Sequence, residues 1–82
     1  MSCKTKATHC LDVRGLRCPL PLLRTKQQLL KLQPGEVLEV KATDAGSWRD
    51  IPAYLAMSNH RLLEQHETAD GEFHYCIERG VD

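Results

Sequence analysis

Cys18 stands in the stretch GLRCPLP, residues 15–21, with Arg17 on one side and Pro19 and Pro21 bracketing Leu20 on the other. A thioredoxin-like CxxC carries its resolving thiol three residues on, and here that position is Pro21. A disulfide cycle within the motif is therefore excluded. What remains is a lone sulfur that can accept a group, hold it and pass it to another nucleophile. The competing reading is a buried Cys18 that acts as a small apolar residue, with prolines that only mark a helix start.

Proline in the first helical turn costs no hydrogen bond, because those N–H groups have no intrahelical partner. Cys18 is expected at the N-cap or first turn of a helix, where the N–H groups of Leu20 and Leu22 and the macrodipole favour an anionic sulfur. Arg17 is adjacent, and Arg14 and Arg24 are candidates to approach in space. These cations predict a thiol pKa below the free value of about 8.5. Because Leu20 precedes a proline, the regular helix is expected to begin at Pro21.

Cys3, Cys10 and Cys76 fit neither a disulfide framework nor a paired CxxC zinc site, and all four cysteines are read as reduced. Cys10 and Cys76 are expected to be inert packing residues. Cys3 is expected to be exposed, a second acceptor or resolving thiol being its functional alternative. His9, His60, His66 and His74 show no HxH or HxxxH spacing, so surface histidines are expected and no metal. Asp12 and Asp50 could pair with Arg14, Arg17 or Arg49 and fix the Cys18 loop. Ordinary capping is the preferred role for Asp50. Trp48 is either a partner contact or a lid on the core.

The elements that must position these residues can be read from periodicity. Residues 8–12 make a short strand that ends where Arg14-Gly15 turns the chain. Leu22, Thr25, Leu29 and Leu32 then form a helical stripe, widened by Leu23 and Leu30 and stopped by Gln33-Pro34-Gly35. Residues 37–42 alternate, with Leu38, Val40 and Ala42 on one face. Residues 48–58 form a second helix whose start is ambiguous: Ser47 and Asp50 have capping-box spacing, while Pro52 prefers a first turn. Strands over 61–67 and 73–79 are joined by a hairpin at Asp70-Gly71. The order βαβαββ predicts an α/β (α+β) two-layer sandwich, a four-stranded mixed sheet with both helices on one face.

At 82 residues, with only one Trp, two Tyr and one Phe, the chain can build one modest aliphatic core. Residues 1–7 are expected to be a flexible tail and 8–80 a single domain. No run is long enough to span a membrane and MSCKTKATHC lacks a secretory apolar stretch, so the cytosol is the expected compartment. Net charge is zero but lopsided: residues 1–34 hold seven Lys or Arg against Asp12 alone, and residues 35–82 hold four against ten acids. Such a field favours thiolate and an acidic partner, unless it is only solvated surface charge.

LDVRGLRCPLP, through Leu11, Asp12, Gly15, Leu16, Cys18, Pro19 and Pro21, resembles the signature of the TusA sulfur-carrier family, also called SirA-like. The likeness continues in QPGEVLEV, in Asp44 and in Arg49-Asp50-Ile51-Pro52, and runs from His9 to Gly80. It implies a two-layer sandwich in which Cys18 carries a persulfide from a cysteine desulfurase to a later sulfur-relay protein. Members close to TusA itself send that sulfur to 2-thiouridine in transfer RNA, and some relatives serve molybdenum-cofactor or sulfur-oxidation pathways. The departures are the cysteines at 3, 10 and 76 and a Ser58-Asn59-His60 turn where many relatives carry glycine.

The resulting expectation is a monomeric persulfide carrier, a sulfurtransferase in the broad sense with little turnover of its own. Cys18 is its nucleophile, supported by Asp12, Gly15, Arg17, Pro19 and Pro21. Arg14, Arg24, Lys26, Trp48 and Asp50 are candidate partner contacts. No cofactor, membrane or direct nucleic-acid contact is expected. The alternatives are a nucleic-acid or protein binding module with an inert Cys18, or a redox or selenium-handling thiol. Low aromatic content disfavours a base-stacking platform, and the acidic last two-thirds would repel phosphate.

Overall fold

The structure, a computed structural model, describes residues 7–81. The frayed terminus expected over residues 1–6, Cys3 included, lies outside the described residues. The elements are β1 (His9–Val13), α1 (Leu20–Lys31), β2 (Val37–Ala42), α2 (Ser47–Ala56), β3 (Arg61–Glu67) and β4 (Phe73–Glu78). They form one sheet in the order β1-β2-β4-β3, with β1 and β2 parallel and β4 antiparallel to both its neighbours. This is the four-stranded mixed sheet with two helices that the order of elements implied.

Strand alternation decides which side the helices cover. Leu38, Val40 and Ala42 of β2 and Tyr75 and Ile77 of β4 are fully buried, and they pack in one cluster with Val13, Leu29, Leu32, Ile51 and Leu55. On the opposite face, Val37 and Cys76 form a small second cluster with Ala7 and Leu63. Thr8 ties in the start of β1, its N–H and hydroxyl both donating to Val37 O.

Helix α1 buries Pro21, Thr25 and Leu29. Leu22 is partly buried against the core, but Leu23 and Leu30 are 44% and 74% exposed and lie outside the expected stripe. The buried Thr25 hydroxyl is satisfied by donating to Pro21 O at 2.8 Å, one turn back. At the other end the buried Arg79 donates from Nε to Leu29 O at 3.1 Å, serving a carbonyl in the last turn of α1.

Helix α2 begins at Ser47, and no side chain caps it. The capping box suggested by Ser47 and Asp50 is absent: the Ser47 hydroxyl donates to Asp44 O and shares a 2.7 Å hydrogen bond with Tyr75 OH. Pro52 lies inside the helix and has no N–H to give the carbonyl one turn back. That carbonyl, Trp48 O, instead accepts from Gln65 Nε2 of β3 at 2.9 Å.

Candidate functional site around Cys18

The loops leaving the parallel neighbours β1 and β2 emerge at the same end of the sheet, each leading into a helix. Open α/β sheets commonly place their sites at this end. The first loop turns at Gly15, whose φ of +83° suits a residue without a side chain. It is pinned to the second where Gly15 N–H donates to Thr43 Oγ1 at 2.9 Å. Arg14 grips Asp12 through Nε at 2.9 Å and NH2 at 2.8 Å, and reaches Glu72 through NH1 at 3.1 Å. Of the pairings considered for Asp12, the one with Arg14 is formed. Those bonds hold the Asp12 carboxyl down at about 2.

Cys18 is exposed, which removes the reading of a buried packing residue. The N-cap is Pro19 and the helix starts at Leu20, one residue earlier than expected, so Cys18 immediately precedes the cap. The Cys18–Pro19 peptide bond is cis. Leu20 N–H, expected as a donor to the sulfur, is bonded to Arg17 O at 2.8 Å instead. The sulfur faces Asp50 of α2, and its S–H donates to Asp50 Oδ2 at 3.0 Å.

The sign of the thiol's perturbation is thereby the reverse of the expectation. The Asp50 carboxylate, by accepting this hydrogen bond, pushes the Cys18 pKa up. Partial desolvation and the negative charges of Asp50 and Asp44 add to the rise, and Arg49 acts against it. The physical reason is distance. A full negative charge at hydrogen-bond range outweighs roughly half a charge spread over a helix end. Arg14, one of the expected cations, is engaged by Asp12 and Glu72. Arg17 and Arg24 stand exposed and are not among the main influences on the thiol.

Asp50 is thus neither the expected helix cap nor an arginine partner. Two further residues of the second loop, Asp44 and Gly46, belong to the site. A Cβ on Gly46 would stand 3.5 Å from Cys18 Cβ and 2.9 Å from Asp44 Oδ2. Asp44 Oδ2 is itself buried with no hydrogen-bond partner among the described residues. Its charge and that of Asp50 are also felt by Tyr75, whose hydroxyl pKa is raised first of all by burial. The sequence signal for this loop was a glycine two residues after an aspartate, just before a helix.

The remaining candidates lie around this centre. Trp48 packs its ring 5.6 Å from that of Phe73 and 6.4 Å from that of Tyr75, a lid on the core that keeps 40% exposure. Lys26 Nζ lies 5.0 Å from the centroid of the Tyr54 ring. Leu20, 42% exposed, and Leu23 add apolar surface to the first turn of α1. Cys10 is exposed and free rather than packed, because its position in β1 faces the side without helices. Cys76 is fully buried but disulfide-bonded, which corrects the reading of four reduced thiols. Among the described residues no three of His, Cys, Asp and Glu gather to hold a metal ion, and no helix is long and apolar enough to cross a membrane.

A βαβαββ sandwich with an exposed thiol at the junction of its two crossover loops defines a class of small α+β domains built around a loop cysteine. Residues 9–79 match the family Sulfurtransferase TusA, and the chain belongs to that family. It is 44% identical over 69 residues to the sulfur carrier protein TusA of Allochromatium vinosum, covering 84% of this chain and 90% of that one. It is 43% identical over 65 residues to a putative sulfur carrier protein, YrkI, of Bacillus subtilis, covering 79% and 87%. The crystal structure of a SirA-like protein from Desulfitobacterium hafniense shares the fold with a TM-score of 0.77 at 24% identity, over 89% of this chain and 99% of that one.

Proposed function

We propose that this protein carries sulfur as a persulfide on Cys18, taken from a cysteine desulfurase and handed to a downstream sulfur-relay protein, in a route that leads to 2-thiouridine in transfer RNA. The observation that supports it most directly is the exposed Cys18 thiol, held within a family-specific motif and lacking a resolving cysteine at the third position. In loading, the Cys18 sulfur attacks the outer sulfur of the donor's persulfide. The donor's S–S bond breaks and its cysteine leaves as a thiol. In delivery the acceptor's sulfur attacks the outer sulfur on Cys18, and Cys18 becomes the leaving group.

The raised thiol pKa favours this reading over a redox sensor. Susceptibility to oxidation follows thiolate character, and the neighbouring carboxylates disfavour the Cys18 thiolate. A thiol of higher pKa also gives a more nucleophilic thiolate once its proton is removed. Asp12, Gly15, Pro19 and Pro21 shape the loop around it. The exposed Arg17, Arg24, Leu20 and Leu23 give partners a mixed basic and apolar surface beside the sulfur.

Incubation with a desulfurase and cysteine should add the mass of one sulfur atom to Cys18 of the wild type and none to Cys18→Ser. Equal labelling of Cys18→Ser overturns the assignment. Protein loaded with radiolabelled sulfur and returned to a cell extract should label 2-thiouridine in transfer RNA. Label that reaches other products and spares transfer RNA overturns the pathway.

A further inference from the structure

The geometry points to Asp50 as the proton carrier of sulfur transfer: it takes the Cys18 proton as the sulfur attacks and returns it to the sulfur that leaves. This inference rests on the proposed persulfide chemistry at Cys18. The contact it needs is already made, with Sγ 3.0 Å from Oδ2 and the thiol as donor. Asp50 is partly exposed and Cys18 is exposed, so both groups of the pair are accessible from solvent.

The atoms balance without an oxidant or reductant. Cys18 S–H gives its proton to the Asp50 carboxylate while Sγ forms a bond to the donor's outer sulfur. The donor's S–S bond breaks, its electron pair stays on the departing sulfur, and the Asp50 carboxylic acid protonates that sulfur. The products are a Cys18 persulfide, a donor thiol and a carboxylate. Delivery is the same sequence in reverse: Asp50 receives the acceptor's thiol proton and gives it to Cys18 Sγ as that sulfur leaves. One carboxylate is base and acid in turn, as reversibility requires.

The persulfide also lacks what the thiol supplied to this contact. Once Sγ is bonded to a second sulfur it has no proton to donate, and the hydrogen bond to Asp50 is lost on loading. The charged groups that act on the sulfur are Asp44 from the loop before α2 and Arg49 and Asp50 from α2 itself. Of these, Asp50 is the one hydrogen-bonded to the thiol.

The test separates proton transfer from simple thiolate formation by the leaving group. Iodide departs from iodoacetamide as a very weak base, whereas the glutathione sulfur departs as a basic thiolate that a neighbouring carboxylic acid can protonate at neutral pH. In Asp50→Asn, alkylation of Cys18 at neutral pH should become faster, because the carboxylate that suppresses the thiolate is gone. Loading of Cys18 from glutathione persulfide, followed by peptide mass spectrometry, should fall by about tenfold or more. The deficit should close toward about pH 10, where thiols ionise without help, and Asp50→Glu should recover part of the neutral-pH rate. Parallel acceleration of alkylation and loading overturns the proposal, since Asp50 then only suppresses the thiolate. A loading deficit that stays constant across pH also overturns it, as a purely structural role predicts. A wild-type Cys18 that alkylates but accepts no sulfur from glutathione persulfide or a desulfurase refutes the carrier reading itself.

Discussion

Gly46 and Cys18 meet across the two crossover loops so closely that a Cβ on the glycine would lie 3.5 Å from Cys18 Cβ and 3.8 Å from its sulfur. The backbone of Gly46 is helical, with φ −62° and ψ −29°, so it is the space and not the conformation that calls for glycine. Cys18 is consequently bounded on this side by the main chain at Gly46.

Gly46→Ala should therefore fold and should load slowly. The new methyl displaces the Asp44 carboxylate, 2.9 Å away, at a cost of about 0.5–1.5 kcal/mol for an off-rotamer side chain. Thermal unfolding should show that modest loss, while persulfide loading at Cys18 falls several-fold and falls further in Gly46→Val. A Gly46→Val variant that loads at the wild-type rate would show that this wall does not shape the site.

Most of the frame was legible because it depends on local pattern. The alternation at residues 37–42 gave β2 to the residue, and Asp70-Gly71 gave the hairpin, where Thr68 N–H donates to Glu72 O at 2.8 Å. Leu23 and Leu30 were misplaced because an aliphatic side chain at helical spacing does not reveal which edge of the stripe the sheet covers. Of the site, the exposed Cys18 and the Asp12–Arg14 pair were legible. Asp50 lies 32 residues from Cys18, and its spacing to Ser47 imitates a capping box, so a local rule absorbed a long-range contact. The sign of the thiol shift followed from that error, since arginines near in sequence were credited with a field that two aspartates near in space reverse.

Acid should weaken the fold through Asp12. Arg14 lowers the Asp12 pKa in the folded protein from its ordinary 3.8 to about 2, so the unfolded chain binds this proton first as pH falls. The contribution is fully present above about pH 4 and disappears as pH falls through about 2. Glu72, lowered chiefly by its hydrogen bond from His74 and then by Arg14, works in the same direction. Urea unfolding between about pH 5 and about pH 2 should show a shallower loss of stability for Asp12→Asn than for wild type. Identical slopes would mean that the pair with Arg14 is not formed in solution.

Gln65 and Pro52 should be energetically coupled through the Trp48 carbonyl. Gln65 supplies Trp48 O with the donor that Pro52 lacks. Gln65→Ala should cost about 0.5–1 kcal/mol in the wild type. In a Pro52→Ala background the new Ala N–H can serve the same carbonyl, and the cost should approach zero. A double-mutant cycle read by chemical denaturation measures this difference. Equal costs in the two backgrounds would assign Gln65 another role.

Arg79 and Leu29, 50 residues apart, close the end of α1 remote from Cys18. Arg79 is 7% exposed, and its guanidinium also donates from NH1 to Gly80 O. Arg79→Met keeps much of the side-chain volume but leaves Leu29 O in the core without this donor. Leu29 O keeps the Leu32 N–H at 3.2 Å, so the loss is that of one hydrogen bond from a charged donor, about 1.5–3 kcal/mol, and for a domain of this size each kcal/mol lowers Tm by about 4–8 °C. The rate of Cys18 alkylation at neutral pH should be unchanged, because the N-terminal turn of α1 and the Asp50 contact lie at the opposite end of the helix. A Tm unchanged in Arg79→Met would show that water or backbone adjustment serves Leu29 O as well as the guanidinium does. A changed alkylation rate would show that the two ends of α1 are mechanically linked.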